Sequence, residues 1–157
     1  MYGGMPVMLA LSWPLLTALG LGFGAFWDVA SFTIMTGMIV TRVGCLLNGC
    51  CAGRPSPGRL GASLPNLRGV WEKRIPVQGF EAGWAAVVLG VATALLRRLP
   101  FPGAVFLVVI TLYSVGRLGL QWLREPEEGA GNIAVGHAAS VVTVVCSIAI
   151  LAIEWPT

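Results

Sequence analysis

The sequence predicts an all-α integral membrane protein: one domain over residues 1–157, a bundle of about five transmembrane helices with one long polar loop. Three observations carry this. The chain is 56% hydrophobic and 11% charged, where a soluble domain carries about a quarter charged residues. Its mean hydropathy is +0.81. Five apolar stretches each approach the roughly 20 residues that cross a bilayer.

The first stretch is 5–24, with Pro6 near its start and Pro14 positioned to kink it. Trp27 and Asp28 then read as a membrane edge, because tryptophan favours the interface. The second span, 29–49, carries Arg42. A charge inside an apolar helix is costly and marks a site by default. The polar loop 50–76 is long for a connector and rich in Gly, Pro and Arg. The third span, 77–96, begins with Gln78 and Glu81. Arg97, Arg98 and Pro100 to Pro102 make a tight turn into the fourth, 103–123, which contains Arg117. The loop with Glu125, Glu127 and Glu128 reads as a solvated edge before the fifth span, 134–154. Gly20, Gly22, Gly24, Gly83 and Gly90 suit close helix packing. Nothing resembles a secretory signal peptide.

Five spans put the termini on opposite sides. Arg54, Arg59, Arg68, Lys73, Arg74 and Arg124 then share the face of the long loop, against Arg97 and Arg98 opposite. The positive-inside rule alone would place the basic face in the cytoplasm. Those bases suit anionic lipid headgroups, and the composition argues against a nucleic-acid partner.

Of four cysteines, Cys146 reads as a small apolar filler. A disulfide between the adjacent Cys50 and Cys51 would be strained. No repeated Cys-x-x-Cys pair exists and His137 is the single histidine, so neither a metal site nor a cofactor is expected.

Tyr113, Arg117, Gln121 and Arg124 fall at spacings that place them on one helix face. Arg42 and Cys45 share another, with Asn48 and Gly49 just beyond. Gln78, Phe80 and Glu81 cluster at the start of the third span. Three helices therefore bring polar residues to one end of the bundle. Two arginines against one carboxylate leave a surplus of positive charge, which suits an anionic ligand such as a phosphate. The plainer alternative is an Arg42–Glu81 ion pair that holds helices together, with Arg117 snorkelling towards the interface.

These residues also resemble a family. Arg42-x-Gly44-x-x-x-Asn48-Gly49, Pro76-x-Gln78-x-Phe80-Glu81-Ala82 and Tyr113-x-x-x-Arg117-x-x-x-x-x-x-Arg124 look like prolipoprotein diacylglyceryl transferase, in order and spacing. The opening Tyr2-Gly3-Gly4 is similar to the family's His-Gly-Gly segment. The resemblance covers nearly the whole chain and roughly the C-terminal two-thirds of a seven-span architecture. It implies transfer of a diacylglyceryl group from phosphatidylglycerol to a lipobox cysteine of a lipoprotein precursor. Arg42, Arg117 and Glu81 would then be catalytic. Asn48, Gly49, Gln78, Tyr113, Arg124, Gly3, Gly4 and His137 would bind substrate. It further implies the bacterial cytoplasmic (inner) membrane, with loop 50–76 extracytoplasmic and the C-terminus cytoplasmic, against the charge rule.

The chain departs from the pattern at identifiable positions. Cys45 replaces an asparagine, Cys50 a glutamate and Gln121 a glutamate. Tyr2 and Ile75 stand where histidines are usual, and His137 where a glutamine is. The groups that would take the acceptor thiol's proton are those replaced. Two rival readings follow: a non-catalytic relative that binds an anionic lipid, and a thiol-based membrane carrier using Cys45, Cys50 and Cys51.

Overall fold

The computed structural model describes residues 4–51, 53–65, 70–124 and 130–154, with backbone only for 130–135. Five helices and one hairpin run in the order α1 (Gly4–Ala18), α2 (Phe23–Leu47), β1 (Ala62–Pro65), β2 (Trp71–Arg74), α3 (Val77–Leu95), α4 (Ala104–Gln121) and α5 (Ala130–Glu154). Helices α2, α3 and α4, and residues 136–154 of α5, are long and apolar enough to cross a membrane. At 15 residues, α1 is shorter.

The expected first span divides in two. Helix α1 stops at Ala18; just beyond it Gly20 takes a φ of +68° and the Leu21 N–H donates to Leu16 O at 2.9 Å. The chain re-enters helix at Phe23, ahead of the expected 29. Trp27 therefore lies inside α2, and it is buried. Its Nε1 donates to Ser12 Oγ at 3.1 Å, and its ring sits 5.0 Å from that of Phe106. Packing and an internal acceptor thus hold this tryptophan within the bundle.

Asp28 lies beside Trp27 and accepts the N–H of Gly103 at 2.7 Å and of Phe106 at 2.9 Å. These are unpaired donors at the start of α4, so a carboxylate from α2 caps another helix and meets its positive dipole end.

The core lies where α2, α3 and α4 meet and centres on Met35, Val88, Ala92, Val105 and Val109. Helix α5 packs on α4, while α1 touches α2 more sparsely. Outward faces carry Val7, Leu11, Val40, Val87, Val141 and Ile148 exposed. Apolar area costs about 25 cal/mol per Å² in water, so these faces require lipid. Of the glycines expected to ease packing, Gly24 does so, since a Cβ there would strike the Pro102 carbonyl; Gly83 and Gly90 face open space. Gly116, unforeseen, lies under the Trp84 indole, whose Nε1 donates to Leu112 O at 3.0 Å and fastens α3 to α4.

The polar loop contains structure that its composition hid. Strands β1 and β2 pair antiparallel, Ala62 with Arg74 through Pro65 with Trp71. Further bridges join Gly53 to Arg124 and Pro55 to Arg74. Gly53 N donates to Ile75 O at 3.1 Å and Arg54 N to Leu123 O at 3.0 Å, so the loop is fastened to the start of α3 and the exit of α4. Gly3, Tyr2, Arg68, Glu125, Glu127 and Glu128, named above, lie outside the described residues.

Candidate functional site

Helix α2 ends on a left-handed cap. Asn48 is the C-cap, Gly49 follows at φ +69°, and Cys50 N donates back to Cys45 O at 3.1 Å. This is the usual way a glycine closes a helix and satisfies its last carbonyls. A Cβ on Gly49 would also strike the Pro65 carbonyl of the hairpin. The Asn48–Gly49 pair thus has a structural duty: Gly49 turns the chain and Asn48 is exposed there.

That turn sets Cys50 against the start of α3. Gln78, 1% exposed, donates from Nε2 to Cys50 O at 2.6 Å. One turn further along α3 stands Glu81, also buried. Its Oε2 lies 2.9 Å from Arg42 Nε and 3.2 Å from Arg124 Nη2. Arg42 itself is 6% exposed. One buried carboxylate oxygen is therefore shared by two guanidiniums, a group with net charge of one positive. Gln78 Oε1, a buried acceptor, has no hydrogen-bond partner among the described residues.

The Arg42–Glu81 pair matches the ion pair that spacing allowed. The second arginine on that carboxylate is Arg124. It was expected on the α4 face, but α4 ends at Gln121. Arg124 lies just past it, with Arg124 N bonded to Gln121 O at 3.2 Å. Its place is set by the bridge to Gly53 and by Arg54 Nε, which donates to Arg124 O at 3.2 Å. The loop, rather than helical periodicity, delivers this guanidinium.

Tyr113 and Arg117 stand on the same face of α4, as expected, and line an apolar cleft of about 330 Å³ with Met38, Val109, Ala139 and Val142. The cleft lies among α1, α2, α4 and α5. The Tyr113 phenol lies near the Arg42 guanidinium as well as lining the cleft. His137, half-buried, stands edge-on to Trp122 with ring centroids 5.6 Å apart. Gly4 begins α1. Two bases of the loop are turned to internal partners: Arg54 as above, and Arg74, paired with Glu72 at 2.7 Å.

The three cysteines grouped in the thiol-based alternative lie close in space, although no metal site is expected from their spacing: the sulfurs of Cys45, Cys50 and Cys51 lie within 4.8 Å of one another. The signal was present in a different form. An Asn-Gly pair at the helix end wraps residue 50 onto residue 45. Cys51 has φ 58°, the one positive-φ non-glycine residue among those described. Burial pushes the Cys51 thiol above its ordinary pKa and neighbouring Cys50 adds to this, while Arg124 and Arg42 pull it down. These three side chains are the group that could hold a metal ion among the described residues.

An apolar helical bundle with a buried, positively charged cluster at one end defines a multi-pass membrane protein with an internal polar site. The chain belongs to the prolipoprotein diacylglyceryl transferase family, whose model matches residues 1–153. Among similar proteins are phosphatidylglycerol–prolipoprotein diacylglyceryl transferases of three organisms. That of Nitrobacter hamburgensis is 29% identical over 143 residues, 87% of this chain and 49% of the relative. That of Dehalococcoides mccartyi strain 195 is 24% identical over 128 residues, 80% of this chain and 49% of the relative. That of Clostridium botulinum strain 657 is 28% identical over 134 residues, 80% of this chain and 52% of the relative. The chain thus spans about half the length of the curated relatives it matches. No solved structure matches it.

Proposed function

We propose that this protein transfers a diacylglyceryl group from phosphatidylglycerol, or a related anionic phospholipid, to a cysteine thiol of a lipoprotein precursor. The observation that carries the reading is the uncompensated positive charge of Arg42–Glu81–Arg124, next to an apolar cleft edged by Arg117 and Tyr113. Acyl chains fill the cleft and the phosphate faces the guanidiniums. The acceptor thiol gives up its proton to water, and its sulfur attacks the glyceryl carbon that bears the phosphate. A carbon–sulfur bond forms, the carbon–oxygen bond breaks, and glycerol phosphate leaves with the electron pair. Arg42 and Arg117 stabilise the negative charge on that leaving group, the general electrostatic strategy for such a step. Glu81 fixes Arg42 and Arg124, and Gln78 presents its open acceptor to the headgroup or the acceptor peptide.

In this reading all five helices form one transmembrane domain in the bacterial cytoplasmic membrane. The charged end faces outward and the C-terminus lies in the cytoplasm. Labelling of a cysteine placed near residue 60 by an impermeant reagent on intact cells supports the orientation; protection from it reverses it.

The test of activity is transfer from phosphatidylglycerol to a lipobox peptide by the full chain in proteoliposomes, with loss in Arg42→Ala and Arg117→Ala. No transfer by the unmutated chain removes the enzyme reading. The replaced proton acceptors at positions 2, 50, 75 and 121 favour a second reading, a non-catalytic lipid-binding relative. Arginine-dependent retention of phosphatidylglycerol without transfer would select it.

A further inference from the structure

We infer that Cys45, Cys50 and Cys51 form a three-thiolate site for a thiophilic divalent cation such as zinc, whose open fourth position takes the acceptor thiol. The second half of this inference rests on the transferase reading above; the metal site stands without it.

The geometry is suitable. Zinc–sulfur bonds of about 2.3 Å put the sulfurs of a tetrahedral site about 3.8 Å apart. The three sulfurs here lie within 4.8 Å of one another, so small side-chain rotations complete the set. The backbone imposes that proximity. The cap at Gly49 returns Cys50 to Cys45, Gln78 holds the Cys50 carbonyl, and the left-handed Cys51 redirects its own side chain. A left-handed non-glycine residue is strained and persists where its surroundings demand it.

The charge also matches. A divalent ion on three thiolates carries one net negative charge. The neighbouring Arg42–Glu81–Arg124 group carries one net positive charge, which favours the thiolates and the phosphate alike and would be shared between them. Soft sulfur ligands select zinc or copper(I) over magnesium or calcium. No fourth His, Cys, Asp or Glu joins the group among the described residues. Three protein ligands with an open position characterise a reactive site rather than a closed structural one.

The consequence for chemistry is direct. A thiol at its ordinary pKa is a poor nucleophile at neutral pH, and metal coordination activates it. A metal-bound thiol is deprotonated outright. The acceptor's S–H proton passes to water as its sulfur takes the fourth position. The sulfur lone pair then forms the carbon–sulfur bond, and glycerol phosphate departs as before. The cation does the work of the missing proton acceptor, with no change of oxidation state.

The test uses the full chain, purified reduced and without oxygen in detergent, and titrated with cobalt(II). The expected result is about one equivalent bound per chain, with sulfur-to-cobalt charge-transfer absorption. Cys45→Ser, Cys50→Ser and Cys51→Ser each lose that band, while Cys146→Ser keeps it. If a serine variant fails to fold, X-ray absorption on the cobalt-loaded unmutated chain decides: three sulfur ligands support the site, and one or none overturns it. Adding a lipobox peptide should raise the charge-transfer absorption by about one third, as a fourth sulfur completes the tetrahedron. The same peptide with serine for cysteine should leave it unchanged. No thiolate band, or a disulfide among the three cysteines in freshly isolated protein, overturns the metal site. A spectrum indifferent to the peptide overturns the acceptor role. A spectrum that responds, with no transfer from phosphatidylglycerol, supports this inference and removes the transferase reading instead.

Discussion

Asp28 and Glu81 are carboxylates near opposite ends of the bundle, and they are satisfied in opposite ways. Asp28 accepts two backbone N–H groups at the start of α4. Its partners are fixed, short-range and part of a helix, and nothing is left over. Glu81 meets two side-chain cations beside an unpartnered Gln78 oxygen and three thiols. One carboxylate closes a joint. The other organises groups whose charges do not cancel. A charge inside an apolar bundle is therefore not enough to identify a site; what matters is whether its partners exhaust it.

Four substitutions break or sharpen that contrast. Glu81→Gln should have the largest effect. It leaves two guanidiniums without their carboxylate, and removing one partner of a buried pair costs about 3–5 kcal/mol. Denaturant unfolding in mixed micelles should show the loss, and transfer should fall with it. Arg117→Ala should leave stability nearly intact while lowering transfer about 10²–10³-fold, the usual consequence of removing one stabiliser of developing charge. Equal falls in stability and in transfer would make Arg117 a packing residue. Asp28→Asn should cost about 1–2 kcal/mol through the weakened cap of α4, and the folded fraction should transfer normally. A specific loss of transfer there would erase the distinction between the two ends. Glu72→Gln removes one charged partner of Arg74 in the hairpin. With Glu72 42% exposed, the change should stay below about 1 kcal/mol and be invisible in transfer.

The residues of the charged cluster were legible one helix at a time. Arg42, Gln78 and Glu81 stand out because polar groups in apolar stretches have few other reasons to be there. Their union at one end follows from antiparallel helices. Arg124 was legible as a residue but not in position, because α4 stops at Gln121 and a backbone bridge, not a helix face, carries it onward. The hairpin in loop 50–76 left little trace, since four-residue strands with proline and charges lack a clear alternation. Trp27, read as lying ahead of the second span, falls within α2 because that helix begins at Phe23. Apolar periodicity cannot tell the edge of a span from its interior when the helix begins earlier than the hydrophobic run suggests. The grouping of the cysteines depended on a cap, which ligand-spacing rules do not encode. Asp28 gave no sign of its role because its partners are backbone groups about 75 residues away, a separation that a local reading cannot bridge.

The backbone bridges at Gly53 and Pro55 divide the loop by how it tolerates added length. Gly53 pairs with Arg124, and Pro55 with Arg74. A residue inserted between them would slide one pairing against the other and carry the Arg124 guanidinium out of register with Glu81. The turn at Gly58, where Gly61 N meets Gly58 O at 3.0 Å, makes no such connection to α4. Length added there costs only loop entropy, about 0.6 kcal/mol for each doubling. A tag or epitope would be accommodated at residues 58–60, while a single extra residue a few positions earlier would dismantle the cluster.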